Sequence, residues 1–201
     1  MNTDKTPLQK PSIHRILELQ KLLVTFAGIN RKVYMPPRAE VAESDLEHSF
    51  SLTMLAWFLA PHFPQLNSGK LIELCLAHDM LEVYCGDTFS FDEQAVSGQK
   101  ELEARAIACL KEEWADFPAL TEAIDEYEEC ITSEAHFIRA LDRIHPVLMD
   151  YLCEGKTWHK LGITFEKFLK VKGEELAASP DLAEYYFQLK EILVKNPQLF
   201  P

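Results

Sequence analysis

Residues Leu76–Phe89 read L-A-H-D-M-L-E-V-Y-C-G-D-T-F, which sets one histidine and three carboxylates at the end of an otherwise apolar run. Leu74, Cys75, Leu76, Ala77, Met80 and Leu81 flank the His78–Asp79 pair. Their spacing predicts a buried helix from about Gly69 to Tyr84, stopped by Gly86. Charge in such a place must be paired, hydrogen-bonded or metal-bound to offset its desolvation. Whatever fold the chain adopts must therefore bring partners to this segment from elsewhere. Helix neighbours point about 100° apart, so His78 and Asp79 serve one ion only if it lies between their directions. Glu82, four residues after His78, projects from the same side one turn along. Alone, the dipeptide fits a core histidine hydrogen-bonded to its neighbour better than a ligand pair.

Two further segments supply the missing partners. His48 lies in E-S-D-L-E-H-S, ahead of an apolar helix, and Asp142 lies in F-I-R-A-L-D-R-I-H among Phe137, Ile138, Leu141 and Ile144. His48, His78, Asp79 and Asp142 together give two imidazoles and two carboxylates. That mixture suits one octahedral or near-octahedral divalent ion per chain, such as Mn²⁺, Co²⁺, Fe²⁺, Mg²⁺ or Zn²⁺. It suits a closed structural zinc site poorly. His145 shares a face with Asp142 but ranks below it as a ligand, because Pro146 follows at once. Cations for an anionic substrate are few. Arg31, Lys32 and Arg38 cluster in N-R-K-V-Y-M-P-P-R-A-E, and Lys100 opens K-E-L-E-A-R-A, where pairing with Glu103 is an equal alternative.

Elsewhere the pattern is helical and forms one domain over residues 12–201, preceded by a loose arm over residues 1–11. Ser12 caps a helix to about Gly28, and S-D-L-E at Ser44 is a capping box opening a helix that Pro61 and Pro64 end. This second helix is apolar nearly all round and is expected to be central. Residues 30–40, with Pro36-Pro37, read as an irregular loop, and residues 85–98 as a long connection of the kind that often serves as a lid or entrance. Further helices are expected at about Gln99–Trp114, Leu120–Glu129, Glu134–Cys153 (bent or frayed at Pro146), Thr164–Ala177 and Asp181–Val194. The fold class is all-α.

A net charge of −12 with no basic stripe argues against nucleic acid as a partner. No apolar run reaches membrane-spanning length and no signal-peptide core precedes the first helix, so no membrane partner is expected. Five cysteines without a C-x-x-C, set in apolar helical patterns, read as reduced thiols of a cytoplasmic protein.

The spacing H…H-D…D, with E-S-x-x-E-H-S before H-D-x-x-E-x-x-x-G-D, resembles the HD-domain metal-dependent phosphohydrolases. Within them it is most similar to the 5′-deoxynucleotidase branch, and the likeness runs from about Arg31 to Asp142. The resemblance implies metal ligands at His48, His78, Asp79 and Asp142. It implies an acidic pair at Glu82 and Asp87, acting on water and leaving group, and a phosphate-holding arginine at Arg31, with Arg38 as its rival. Lys100 is a further phosphate candidate. Three departures bear on substrate. Lys32 stands where that branch carries an aromatic residue against the sugar. T-F-S-F-D-E follows Gly86-Asp87 without the proline common in relatives. Val83 replaces the second acid of the guanosine tetraphosphate hydrolases and argues against that activity.

The expectation is thus a single-domain helical bundle releasing phosphate from nucleoside 5′-monophosphates. The alternatives are a hydrolase of another small phosphate ester and a catalytically silent metal- or nucleotide-binding sensor. Relatives are often homodimers, and Leu182, Tyr185, Tyr186, Leu189, Ile192 and Leu193 form a stripe that either pairs two copies or packs on its own domain.

Overall fold

The computed structural model describes residues 10–38, 40–88, 91, 93–173 and 182–201. Among these residues, ten α-helices and one two-stranded sheet follow in the order α1 (Ile13–Phe26), β1 (Asn30–Tyr34), β2 (Ala42–Ser44), α2 (Asp45–Leu59), α3 (Ser68–Ala77), α4 (Glu82–Cys85), α5 (Glu93–Glu113), α6 (Pro118–Glu129), α7 (Ser133–Leu152), α8 (Lys156–Leu161), α9 (Phe165–Phe168) and α10 (Ala183–Lys195). The expected arm over residues 1–11 lies outside the described residues but for exposed Lys10 and Pro11.

Local sequence explains the boundaries. Ser12 accepts from the Arg15 amide at 3.2 Å and opens α1. Ser44 and Glu47 form the full capping box of α2, and Thr132 caps α7. The core is built where α2, α3, α6 and α7 pack, around Leu52, Leu71, Leu74, Ile124, Phe137 and Ile138, all inaccessible to solvent. Among the described residues no helix is long and apolar enough to cross a membrane.

Several expectations give way. The segment read as an irregular loop is a hairpin, with β1 and β2 antiparallel from Asn30↔Ser44 to Tyr34↔Ala42. Pro36 sits in the turn between the strands, where its missing N–H is harmless. The helix expected over 69–84 is interrupted. α3 ends at Ala77, and Met80, Glu82 and Tyr84 bond the carbonyls three residues back, not four. This tighter winding carries the chain through His78–Leu81 before α4. α7 runs through Pro146 without fraying, although proline removes the bond that the Asp142 carbonyl would accept. α5 opens at Glu93, inside the expected connection, and α8 was not anticipated. The expected 164–177 helix is α9 followed by a π-type turn over Leu169–Gly173, its remaining residues lying outside the described set.

α2 is only half central. Its His48, Ser49, Leu52 and Ala56 are buried, whereas Phe50, Met54, Trp57 and Phe58 face solvent. The C-terminal stripe is largely used within the domain, with Leu182, Tyr186, Leu189 and Leu193 buried.

Candidate functional site

Three elements deliver the four predicted ligands to one point. His48 comes from the first turn of α2, His78 and Asp79 from the end of α3, and Asp142 from the middle of α7. Because the chain tightens after Ala77, two adjacent side chains face the same point. His48 Nε2 lies 2.9 Å from Asp142 Oδ1, 3.3 Å from His78 Nε2 and 3.6 Å from Asp79 Oδ2. His78 Nε2 lies 3.1 Å from Asp79 Oδ2 and 3.9 Å from Asp142 Oδ1. Both imidazoles are fully buried, while the two carboxylates keep some exposure.

The donor chemistry fits a divalent ion. His78 Nδ1 is 2.9 Å from the Cys75 carbonyl, which only accepts, so this nitrogen carries a proton. Neutral His78 then presents a lone pair at Nε2, toward a carboxylate oxygen and a second imidazole nitrogen. Such a ring of lone pairs repels itself unless protons or a cation lie among them. The protonation of the cluster bears this out. Burial favours neutral Asp142, but the hydrogen bond and charge of His48, with His78 and Arg31, outweigh it and hold the carboxyl well below the usual range. Asp79 is likewise lowered, burial being outweighed by His78 and Arg31. Burial would lower His78, yet Asp79 raises it. His48 is lowered by burial and by Arg31. Ligand atoms of His48, His78 and Asp142 lie close enough together to hold one ion.

Of the predicted cations the structure brings Arg31 to this cluster. From β1 its Nη1 reaches Asp79 Oδ2 at 3.1 Å, and its Nε lies 3.3 Å from Glu43 Oε1. Burial opposes its charge, but Asp79 and Asp142 stabilise it. The rival Arg38 is exposed and pairs with Glu47. Lys100 is exposed on α5 and takes part in no contact of the cluster.

Glu82, at the start of α4, groups with Asp79 and with Asp45, which stands at the start of α2. Asp45 is fully buried, and neither of its oxygens has a hydrogen-bond partner among the described residues. Burial, then the charges of Asp79 and Asp45, push Glu82 up to about 12. Burial also raises Asp87, partly offset by Arg31. Between these two acids Gly86 has φ +78° and ψ 161°, a conformation open in practice to glycine alone, which turns the chain out of α4 into Asp87.

Sequence reading missed three groups. Asp45 and Glu43 flank the capping serine in E-S-D-L-E-H and signal themselves only as surplus acid before an apolar helix. Tyr127, buried on α6, lies 3.3 Å from Asp142 Oδ2 through its hydroxyl and packs edge-on to His78. His145 does not face the ion position; it lies behind His48.

A 5′-deoxynucleotidase HDDC2 of Xenopus laevis is 29% identical over 136 residues, covering 66% of each chain. The chain thus spans about two thirds of that relative's length. The protein of the same name from Dictyostelium discoideum is 24% identical over 153 residues, covering 72% of this chain and 80% of its own. The crystal structure of a protein described as a predicted metal-dependent phosphohydrolase, from Magnetospirillum magnetotacticum, superposes with TM-score 0.77 at 29% identity, over 93% of this chain and 96% of its own. The sequence pattern of the HD domain matches residues 29–183, which include every element that supplies the cluster. By that match, with two histidines and two aspartates converging from α2, α3 and α7, the chain belongs to the HD domain family.

Proposed function

We propose that the protein is a metal-dependent phosphohydrolase that releases phosphate from nucleoside 5′-monophosphates. The observation that carries this reading is the convergence of His48 Nε2, His78 Nε2, Asp79 Oδ2 and Asp142 Oδ1 beside a buried arginine. The names of the deoxynucleotidase relatives support the substrate class. His48, His78, Asp79 and Asp142 would hold one divalent ion, with Mn²⁺, Co²⁺, Mg²⁺, Fe²⁺ and Zn²⁺ all compatible with the donor set. When bound, such an ion supplies the positive charge that polarises a phosphoryl group toward attack.

The chain's own groups do the rest. Arg31, fixed by Asp79 and Glu43, presents its guanidinium to the phosphate and offsets charge there. Glu82 orients the attacking water and takes its proton. Its carboxyl is raised by burial and by the negative charges of Asp79 and Asp45, and cationic charge beside Asp79 relieves that pressure. Asp87, raised by burial, is suited to return a proton to the leaving 5′ oxygen. Lys100 has no support from the cluster and is retained only as an approach cation.

Lys32 favours a second reading, hydrolysis of another small phosphate ester, because an exposed lysine follows Arg31 where the deoxynucleotidase branch carries an aromatic residue. One experiment separates the two. Metal-stripped protein is assayed for phosphate release from ribo- and deoxyribonucleoside monophosphates, sugar phosphates and phosphodiesters with Mn²⁺, Co²⁺ or Mg²⁺. Preferential turnover of nucleoside monophosphates is expected. Turnover confined to other esters selects the second reading, and ion binding without any turnover selects a silent sensor.

Self-association forms part of the proposal. Phe50, Met54, Trp57 and Phe58 share one exposed apolar face of α2, in a chain of net charge −12. Two copies meeting there keep their acidic surfaces apart. A homodimer in light scattering, converted to monomer by Trp57→Lys, is the expected outcome. The five unpaired thiols suit a reducing cytoplasm.

A further inference from the structure

Behind the ion position the two candidate histidine ligands are held in different ways. His78 donates Nδ1–H to the backbone carbonyl of Cys75. Among the described residues His48 has no backbone partner at Nδ1. That nitrogen lies 3.0 Å from His145 Nδ1, and His145 Nε2 lies 2.9 Å from Ser51 Oγ. His48 and His145 are both buried, with rings 4.7 Å apart and nearly perpendicular.

Two imidazole nitrogens at 3.0 Å must share one proton, because two N–H groups or two lone pairs would repel. Two arrangements satisfy the row. In one, His48 Nδ1–H donates to His145 Nδ1, His145 Nε2–H donates to Ser51 Oγ, and His48 Nε2 is a free lone pair. In the other, Ser51 donates to His145, His145 donates to His48, and His48 Nε2–H donates to Asp142 Oδ1 at 2.9 Å. Only the first leaves His48 able to ligate an ion. The Glu43 carboxyl favours it, with Oε1 lying 3.7 Å from His48 Nδ1, too far for a hydrogen bond but close enough to attract an N–H there.

We propose that His145, backed by Ser51, is a positioning residue that keeps the proton of His48 on Nδ1 and so turns its Nε2 lone pair toward the ion. The inference rests on the metal reading given above. Partners of this kind, set behind a ligating imidazole, typically change metal affinity by about 10–100-fold when removed. His145 touches neither ion nor substrate. It acts through His48.

The test is Mn²⁺ affinity by calorimetry on metal-stripped protein, with thermal unfolding followed in parallel. His145→Phe keeps a planar ring but removes the acceptor, and should weaken binding about 10–100-fold. His145→Asn, whose amide oxygen stands near the lost Nδ1, should restore most of that affinity. Wild-type affinity in folded His145→Phe overturns the proposal, and so does folded His145→Asn as weak as the phenylalanine variant. Should His145→Phe fail to fold, ¹⁵N spectra of the Mg²⁺-loaded wild type decide: His48 protonated at Nδ1 is expected, and at Nε2 overturns it. If wild-type protein binds no ion, the metal reading and this inference fall together. If it binds and His145→Phe binds equally, this inference falls alone.

Discussion

The ion-site cluster and the aromatic corner at the C-terminus are both buried, yet they are built on opposite principles. In the corner, Phe200 stacks on Trp158 at 4.3 Å and 8°, and Phe165 and Phe168 pack around them. Gly155 admits the backbone of Leu199 so closely that a Cβ there would lie 1.9 Å from its carbonyl oxygen. The corner is held by apolar and aromatic packing. In the cluster, imidazoles and carboxylates face one another, and Asp45, Glu43 and Glu82 keep buried oxygens without hydrogen-bond partners. The corner gains from burial, whereas the cluster opposes folding until protons or a cation complete it. Changes in the two regions should therefore separate stability from function.

Asp79→Ala should have the largest effect. It removes a candidate ligand and the partner of Arg31, so ion binding should be lost and phosphate release should fall by about 10³-fold or more. Metal analysis and a phosphate assay check both. Glu82→Gln should retain the ion while kcat falls by about 10²–10⁴-fold. Loss of the ion instead would place Glu82 among the ligands and blur the line between holding and reacting.

Phe200→Ala probes the other region. It should cost about 3 kcal/mol of stability by denaturant unfolding, with ion affinity of the folded protein unchanged. An affinity change would mean that the two regions are coupled.

The smallest effect concerns pH. Burial, partly offset by Arg31, raises Glu43 from 4.5 to about 7. Between those values folded protein holds a proton that unfolded chain has lost. The contribution of Glu43 to stability therefore falls as pH rises through this window and is level above it. Glu43→Gln removes that fall, so its Tm relative to wild type should increase from about pH 5 to about pH 8. A difference constant with pH would contradict the assignment.

The contrast also explains what could be read from sequence. His78, Asp79 and Asp142 stand out because ionisable residues in apolar runs are expensive, and the expense shows in one dimension. Arg31 stood out only as one of several loop cations, and its separation from Arg38 needed the hairpin that points it at Asp79. The hairpin was hidden because its strands are short and flank a proline turn. Asp45 was hidden because it looks like first-turn helix acid, and His145 was visible only as a weaker ligand candidate beside Asp142. The corner left no trace: Trp158, Phe168 and Phe200 are ordinary aromatics until the chain folds them together. α2 misled because an apolar helix reads alike whether its second face meets its own domain or solvent.

The central claim is that the buried lone pairs of His48, His78, Asp79 and Asp142 form one ion site. Equilibrium dialysis of metal-stripped protein against Mn²⁺ tests it most directly, on wild type, Asp79→Ala and Phe200→Ala under folded conditions. The account predicts one tightly bound ion per chain in wild type and Phe200→Ala, and none in Asp79→Ala. Equal binding by wild type and Asp79→Ala would contradict it.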